Sequence, residues 1–288
     1  VIKKATMMKR EIIGVDLGGT NMRAGLVADG NLKEVASTGV PKTDDWQEVM
    51  AELLETIGKV WNSSIEGIGI GVPGLVDAYD GVVYNVQNIP SWKAVQIRKI
   101  VSEEFGVPVY VNNDANCFAL GERFFGAGQA YEDFVGLITG TGLGAGIIKW
   151  GHLLQDQNCG SGEFGMLPYL DGIYEDYCSG QFFIKHSSFD GKTVADLAAK
   201  GDKDALAAFK IYGQHLANVI KVVLFTIDPK AIIIGGSVAL SFPYYEEAMR
   251  AELSSFPYPK VIERLQIFPS SMPEIAILGA AALVLDKL

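Results

Sequence analysis

From Glu11 to Val40 the chain reads "EIIGVDLGGTNMRAGLVADGNLKEVASTGV". Apolar residues alternate around glycines and "ADGN" supplies a turn, a pattern that predicts strands joined by tight turns. "WQEVMAELLETIGKVWN" then spaces its apolar residues at helical intervals. "IEGIGIGVPG" predicts a short buried strand ending in a Gly/Pro loop, and "AVQIRKIVSEEFG" a helix closed by glycine. "VPVYVNND" predicts a strand and "ANCFALGERFFG" a helix. Hairpin, α, β, α, β, α is the order of an α/β domain.

The pattern then starts again. "DFVGLITGTGLGAGIIKWGHL" repeats the opening form of strand, Gly/Thr turn and strand. A long helical stretch follows, "KDALAAFKIYGQHLANVIKVVLFTI", then a strand, "AIIIGGSVA", and a terminal helix, "EIAILGAAALVLDKL". Two related α/β halves are expected, joined near Glu122–Asp133. No low-complexity segment separates them, so a shared cleft is the expected place for a ligand.

Composition narrows the function. Of 288 residues, 49% are hydrophobic and 20% charged, an ordinary globular balance that excludes a mostly disordered chain. The net charge of −10, with no Lys/Arg run, gives no overall attraction for nucleic acid or for anionic lipid. No apolar stretch reaches membrane-spanning length. Three cysteines, Cys117, Cys159 and Cys178, form no CxxC pair, which fits reduced thiols in a cytoplasm. "VIKKATMMKR" is basic without an apolar core, so it is not read as a signal peptide; the native start is expected at Met7 or Met8.

Candidate chemistry sits in the glycine turns. "DLGGT" (Asp16–Thr20) and "TGTGLGAG" (Thr139–Gly146) each follow a strand. Glycine lets backbone N–H groups approach an anion and threonine adds a hydroxyl donor, so two such turns could grip the β and γ phosphates of a nucleotide. Either alone reads first as a tight hairpin; two at corresponding points of a repeated chain point to the phosphates. Gly140–Ala145 also satisfies the dinucleotide pattern GxGxxG/A, with Glu163 near the spacing of a ribose-binding acid, but that motif must open a helix and "AGIIKWG" is strand-like. No P-loop GxxxxGK[ST] is present. A third glycine motif, "IIIGGSVA" (Ile232–Ala239), could let a flat ring lie against the Gly235-Gly236 backbone.

With these motifs in this order the chain resembles the sugar kinase–Hsp70–actin superfamily and, within it, the ROK family of bacterial sugar kinases. "GVPGLVD", "NIPSW", "VNNDANCFALGE" and "GEFG" carry the sugar side of the resemblance. It implies two related actin-like (ribonuclease H-like) α/β domains facing a central cleft, over residues 9–121 and 122–273, with a C-terminal helix, 274–288, packing back on the first. It implies nucleotide contacts by Gly18, Gly19, Thr20 and Asn21, by Thr139, Gly140, Thr141 and Gly142, and by Gly235 and Gly236. Asp114 would be the catalytic base, taking the proton of a sugar hydroxyl as it attacks the γ-phosphoryl group; as an isolated residue it reads first as a helix N-cap. Gly74, Asn88, Asn113, Asp114, Glu163 and Glu175 would hold the sugar. Asp16 would hold Mg²⁺ through water, since Mg²⁺ keeps several waters and takes few carboxylates. Because these sugar ligands fall in both halves, sugar is expected to close the domains.

The segment "GSGEFGMLPYLDGIYEDYCSG" (Gly160–Gly180) departs from the family. ROK kinases carry "GEIGH" and a zinc loop "CxCGxxGCxExxxSG". Here Met166 replaces the histidine, "EDYCSG" keeps only the end of the loop, and the zinc cysteines before Glu175 are absent. No structural zinc is expected. Leu167, Tyr169, Leu170, Ile173 and Tyr174 are expected to bury apolar surface in its place, and His152, His186 and His215 to form no ligand cluster. His215 reads as a helix-face residue.

The resemblance implies an ATP- and Mg²⁺-dependent kinase for a hexose primary hydroxyl, with the 6-hydroxyl of glucose as leading acceptor. N-acetylhexosamine, mannose and fructose are the alternatives. It implies a cytoplasmic homodimer with no nucleic-acid or membrane partner. The different class is a sugar-responsive regulator. Only about fifteen residues precede "DLGGT", too few for a helix-turn-helix domain, and the chain is acidic; the retained Asp114 and both phosphate turns argue against a non-catalytic sensor.

Overall fold

A computed structural model of the chain describes residues 10–86, 88–156, 160–187 and 189–287. Met7, Met8, the expected domain start at Lys9, and Cys159 lie outside the described residues. The chain divides into two compact units.

The first unit takes the chain up to Ala130, His152–Ser161 and Met272 onward. Strands β1 (Ile12–Leu17), β2 (Asn21–Ala28) and β3 (Asn31–Gly39) form an antiparallel meander. β4 (Ile68–Val72) lies parallel to β1, and β8 (Val109–Asn113) parallel to β4, giving the order β3-β2-β1-β4-β8. A small sheet, β5 (Leu75–Asp77), β6 (Val82–Tyr84) and β7 (Ala94–Val95), is strung between β4 and β8 in the chain. β1 and β4 read as near-continuous apolar runs because both are central and covered on both faces. One cover is the C-terminal helix Ile275–Asp286, apolar on nearly every side and packed on β1, β4 and the helix Asp114–Phe124. It comes that close because the sheet offers no side chain there. A Cβ on Gly14 would stand 2.0 Å from the Ile277 carbonyl oxygen, and one on Gly69 1.8 Å from that of Ala280.

The second unit takes Tyr131–Gly151 and Gly162–Ser271. Its hairpin is β9 (Phe134–Thr139) and β10 (Leu143–Lys149), with β11 (His152–Leu153) following in the chain. Beyond the short hairpin β12 (Pro168–Tyr169) and β13 (Gly172–Ile173), the strand β14 (Ala231–Gly235) pairs parallel to β9, and β15 (Gln266–Pro269) parallel to β14. Within the unit the order is β10-β9-β14-β15. This is the β2-β1-β4-β8 order of the first unit once more, so the repeated sequence rhythm is a repeated topology. The long helix Lys203–Thr226 is capped by Asp202 and buries Phe209, Tyr212, Leu216, Ile220 and Val223 at helical spacing against this core.

Two boundaries differ from the sequence reading. The first passage between units falls after Ala130 and not at 121/122, because the helix begun at Asp114 runs unbroken to Phe124. Residues 152–161 belong with the first unit, where His152 Nδ1 lies 3.2 Å from Asp286 Oδ1 at the end of the C-terminal helix. The run after Gly142 is strand, which removes the dinucleotide-binding alternative. Among the described residues no helix is long and apolar enough to cross a membrane.

Candidate functional site

In the first unit, β1 delivers Asp16 to the mouth of the β1–β2 turn. Gly18 closes that turn with its N–H on the Asn21 carbonyl at 2.9 Å, leaving Thr20 and Asn21 exposed. Gly19 meets Asn88: a Cβ there would stand 2.2 Å from that of Asn88. An expected phosphate residue and an expected sugar residue are therefore neighbours. Gly74 turns the chain out of β4 with φ 101°.

β8 ends in Asn113 and the helix begins at Asp114. The cap is Asn113, whose Oδ1 accepts the Asn116 N–H at 2.8 Å. Asn112 Oδ1 accepts both the Asn113 N–H and the Asn116 Nδ2–H, each at 2.8 Å, and clamps the helix entrance. Asp114 is thus relieved of the capping role that a lone aspartate would suggest. One of its oxygens, Oδ1, accepts the adjacent Ala115 N–H at 2.8 Å. Its side chain keeps solvent access, yet protein crowds it closely enough to raise its carboxyl above the usual range. The Ala115 N–H opposes that rise and the Asp16 charge adds to it. Asp16 is itself raised by burial and partly relieved by Arg23. Arg23 faces Asp16 in the β1–β2 register and pairs with Glu274. It escaped the sequence reading, although the tight "DLGGTNMR" hairpin sets Asp16 opposite it. Two neighbouring carboxylates with hard oxygen donors and little compensating charge fit a divalent ion of the Mg²⁺ type.

In the second unit the Thr139 hydroxyl is buried and donates to the Gly235 carbonyl at 3.2 Å. This corrects the reading of Thr139 as a nucleotide contact: its hydroxyl is turned inward to the Gly235 carbonyl and is not presented to phosphate. It ends β9 and ties the second glycine turn to the third glycine motif. Gly236, at φ 87°, backs onto the same residue, and a Cβ there would stand 2.4 Å from the Thr139 carbonyl oxygen. Gly236 thus serves this close approach. Gly140 donates to the Gly142 carbonyl at 3.0 Å, and Thr141 is exposed at the tip.

A cavity of about 520 Å³ opens beside this turn. Gly140 and Thr141 line it with Gln181, Ile184, Lys192 and Leu240. Ile184 and Leu240 are otherwise exposed apolar side chains, 54% and 85%. Asp190 and Asp196 line the cavity as well, so its charge is mixed, and the apolar side chains beside bare backbone suit a ligand with a flat apolar end. Ile184, Lys192 and Leu240 carry no motif, and only the fold brings them to the turn.

Glu163 and Glu175 flank the β12–β13 hairpin. Glu163 is exposed and opens the short turn Phe164–Met166. Glu175 lies in the short helix Tyr174–Cys178, with Oε2 accepting the Leu143 N–H at 2.9 Å. Between them Tyr169 stacks on Tyr174 at 4.2 Å and its hydroxyl lies 3.0 Å from His215 Nδ1. His215 is thus part of an aromatic cluster and more than a helix-face residue. Leu167 and Leu170 are 39% and 69% exposed, against the expectation that they would be buried. The hairpin turns at Leu170, at φ 51°, and throws both leucines outward while the tyrosines do the packing. Met166 is 60% exposed. Cys117 and Cys178 are buried free thiols, and among the described residues no three His, Cys, Asp or Glu side chains gather as a metal-ligand set.

The ROK family model matches residues 12–287. The chain belongs to the ROK family. It is 29% identical to a glucokinase of Thermotoga maritima, over 98% of this chain and 99% of that one. It is 31% identical to an N-acetyl-D-glucosamine kinase of Yersinia enterocolitica, over 81% and 86%. It is also 31% identical to a xylose repressor of Bacillus spizizenii, over 76% of this chain and 61% of that protein. Among solved structures, the ROK family glucokinase from Streptomyces griseus in complex with glucose and AMPPNP superposes with a TM-score of 0.78 at 26% identity, over 95% and 98% of the two chains. As a ROK protein the chain has the two-domain, actin-like α/β fold.

Proposed function

We propose that this ROK protein is an ATP-dependent hexose kinase acting on a primary hydroxyl, with the 6-hydroxyl of glucose as the first acceptor to test. The observation that carries the reading is the division of labour at the helix entrance. Asn113 caps the helix, which leaves the Asp114 carboxylate, solvent-accessible and raised, without a structural duty that would explain it. Asp114 accepts the proton of the sugar hydroxyl as that oxygen bonds to the γ-phosphorus and the bond from phosphorus to the leaving ADP oxygen breaks. Asn88, Asn113, Glu163 and Glu175 read the other hydroxyls, and Gly74 supplies backbone. Gly18, Gly19, Thr20 and Asn21 serve the phosphates in the first unit, and Gly140, Thr141 and Gly142 in the second; the base takes the cavity beside Gly140, with Gly235 and Gly236 behind it. Mg²⁺, when bound, neutralises phosphate charge, and Asp16 would hold it through water. The protein carries no structural zinc, works in the cytoplasm as a homodimer, and has no nucleic-acid or membrane partner.

The acceptor is the finer part of the proposal. N-acetylhexosamine, mannose and fructose stay in the panel because Met166 stands where the family's histidine touches the sugar. A second reading, a sugar-responsive regulator, is favoured by the likeness to the xylose repressor. Incubation with MgATP and each sugar, followed by ³¹P NMR of the products, separates these. A hexose 6-phosphate formed in proportion to enzyme supports the kinase. Sugar binding without any phosphorylated product would support the regulator.

A further inference from the structure

The segment Glu175–Gly180 grips the Gly140–Leu143 turn at both ends. Glu175 Oε2 accepts the Leu143 N–H at 2.9 Å, and the Gly180 N–H donates to the Gly140 carbonyl at 2.7 Å. The carboxylate lies so near the turn that a Cβ on Gly142 would stand 2.6 Å from Oε2. The segment is itself held. Ser179 Oγ donates to the Glu175 carbonyl at 2.7 Å, and the Tyr212 hydroxyl donates to the Cys178 carbonyl at 3.1 Å. Glu175 Oε1 has no hydrogen-bond partner among the described residues. Gly140 and Gly180, joined by one of these bonds, both line the cavity beside the turn.

We propose that Glu175 is a positioning residue for the nucleotide as well as a sugar contact, and that this one carboxylate couples the two binding events. The proposal rests on the kinase reading above. Oε2 takes the Leu143 amide and so shapes the turn; it also means that this amide is occupied by protein and does not face phosphate. Oε1 is left for a sugar hydroxyl. A sugar bound at Oε1 fixes the carboxylate and, through Oε2, the turn that receives the phosphates. Sugar and nucleotide then tighten each other's binding by the same factor. A hydrogen bond to a charged acceptor is strong enough for its loss to be read as about a tenfold change in affinity.

The test begins with MgADP alone, titrated calorimetrically into wild type, Glu175→Ala and Glu175→Gln. Glu175→Ala is expected to bind MgADP about tenfold more weakly although no sugar is present. Glu175→Gln keeps a side-chain carbonyl for the Leu143 N–H, so it should hold MgADP within about threefold of wild type. With the sugar that wild type turns over, Glu175→Gln should raise the sugar KM and leave the MgATP KM in place. Gly142→Ala is the reciprocal variant, since its methyl displaces Glu175; it should raise the sugar KM from within a phosphate turn, and it carries the test if Glu175→Ala does not fold. A wild type that phosphorylates sugar, with Glu175→Ala binding MgADP unchanged or Gly142→Ala keeping the wild-type sugar KM, would overturn the coupling and leave the kinase reading intact. A wild type that binds no MgADP would overturn both.

Discussion

The two glycine turns, Gly18–Asn21 and Gly140–Gly142, share a Gly/Thr composition and a topology, each closing an antiparallel hairpin beside a parallel strand. Their surroundings differ. The first stands beside acidic groups, Asp16 and Asp114, and its Gly19 touches Asn88. The second is held from behind by Thr139 on Gly235 and from the side by Glu175 on Leu143. The duplicated element is a scaffold, and its chemistry comes from whatever the rest of its own unit brings to it. In the proposed kinase both turns serve the phosphates, the first beside the proposed base Asp114 and the second beside the cavity.

If the second turn is the braced one, disturbing its backing should cost stability most. Gly236→Ala puts a methyl against the Thr139 carbonyl at positive φ and should cost about 3 kcal/mol. Thr139→Val removes the buried hydroxyl's bond to the Gly235 carbonyl and should cost about 1 kcal/mol, whereas Thr20→Val, exposed in the first turn, should change stability by less than about 0.5 kcal/mol. Urea denaturation of the three variants measures this; equal losses for Thr20 and Thr139 would erase the contrast.

At the first turn the expected damage is to binding. Gly19→Ala drives its methyl into Asn88 and should raise the sugar KM about tenfold, a methyl-sized clash at a polar contact being worth that much. Steady-state kinetics at saturating MgATP checks it. A smaller effect belongs to the cap: Asn113→Ala should cost about 1 kcal/mol of stability from the lost N-cap, in addition to any loss of sugar affinity.

The smallest effect is a shift in pH dependence. Asp114 is raised, first by its crowded surroundings, with the Asp16 charge adding to the rise, and as the proposed base it would accept a proton only when ionised. Turnover should fall as pH drops through that raised pKa. Asp16→Asn removes one raising cause, so the acid limb of whatever activity survives should move to lower pH. Stability has the opposite sign. Both carboxyls are raised in the folded state, so their ionisation disfavours folding, and that penalty is lifted as pH falls through the folded pKa. An acid limb unmoved in Asp16→Asn would separate the two carboxylates.

Much of this was legible in the sequence because it rests on local pattern. Alternation around "DLGGT" and "TGTGLGAG" predicts both hairpins, and the strand-like "AGIIKWG" disposes of the dinucleotide motif. What was hidden depends on neighbours distant in the chain. Nothing in "EDYCSG" says that Glu175 reaches the Leu143 amide, and nothing in "ITGTG" says that Thr139 turns inward to Gly235. Ile184, Lys192 and Leu240 reach the cavity from three different helices or turns. "NNDAN" holds several side chains able to cap a helix, and only the backbone decides that Asn113 does so. Leu167 and Leu170 misled because apolar content alone does not say which side of a two-residue hairpin faces the core.

The central claim is that Asp114 is a base and not a cap. The measurement that tests it most directly is the kcat of Asp114→Asn beside wild type, on the sugar wild type phosphorylates, with binding of that sugar and of MgADP confirmed by calorimetry. The account predicts a folded variant that binds both ligands and turns over about 10²–10⁴-fold more slowly. Near-normal turnover in that variant would contradict it and place the base elsewhere.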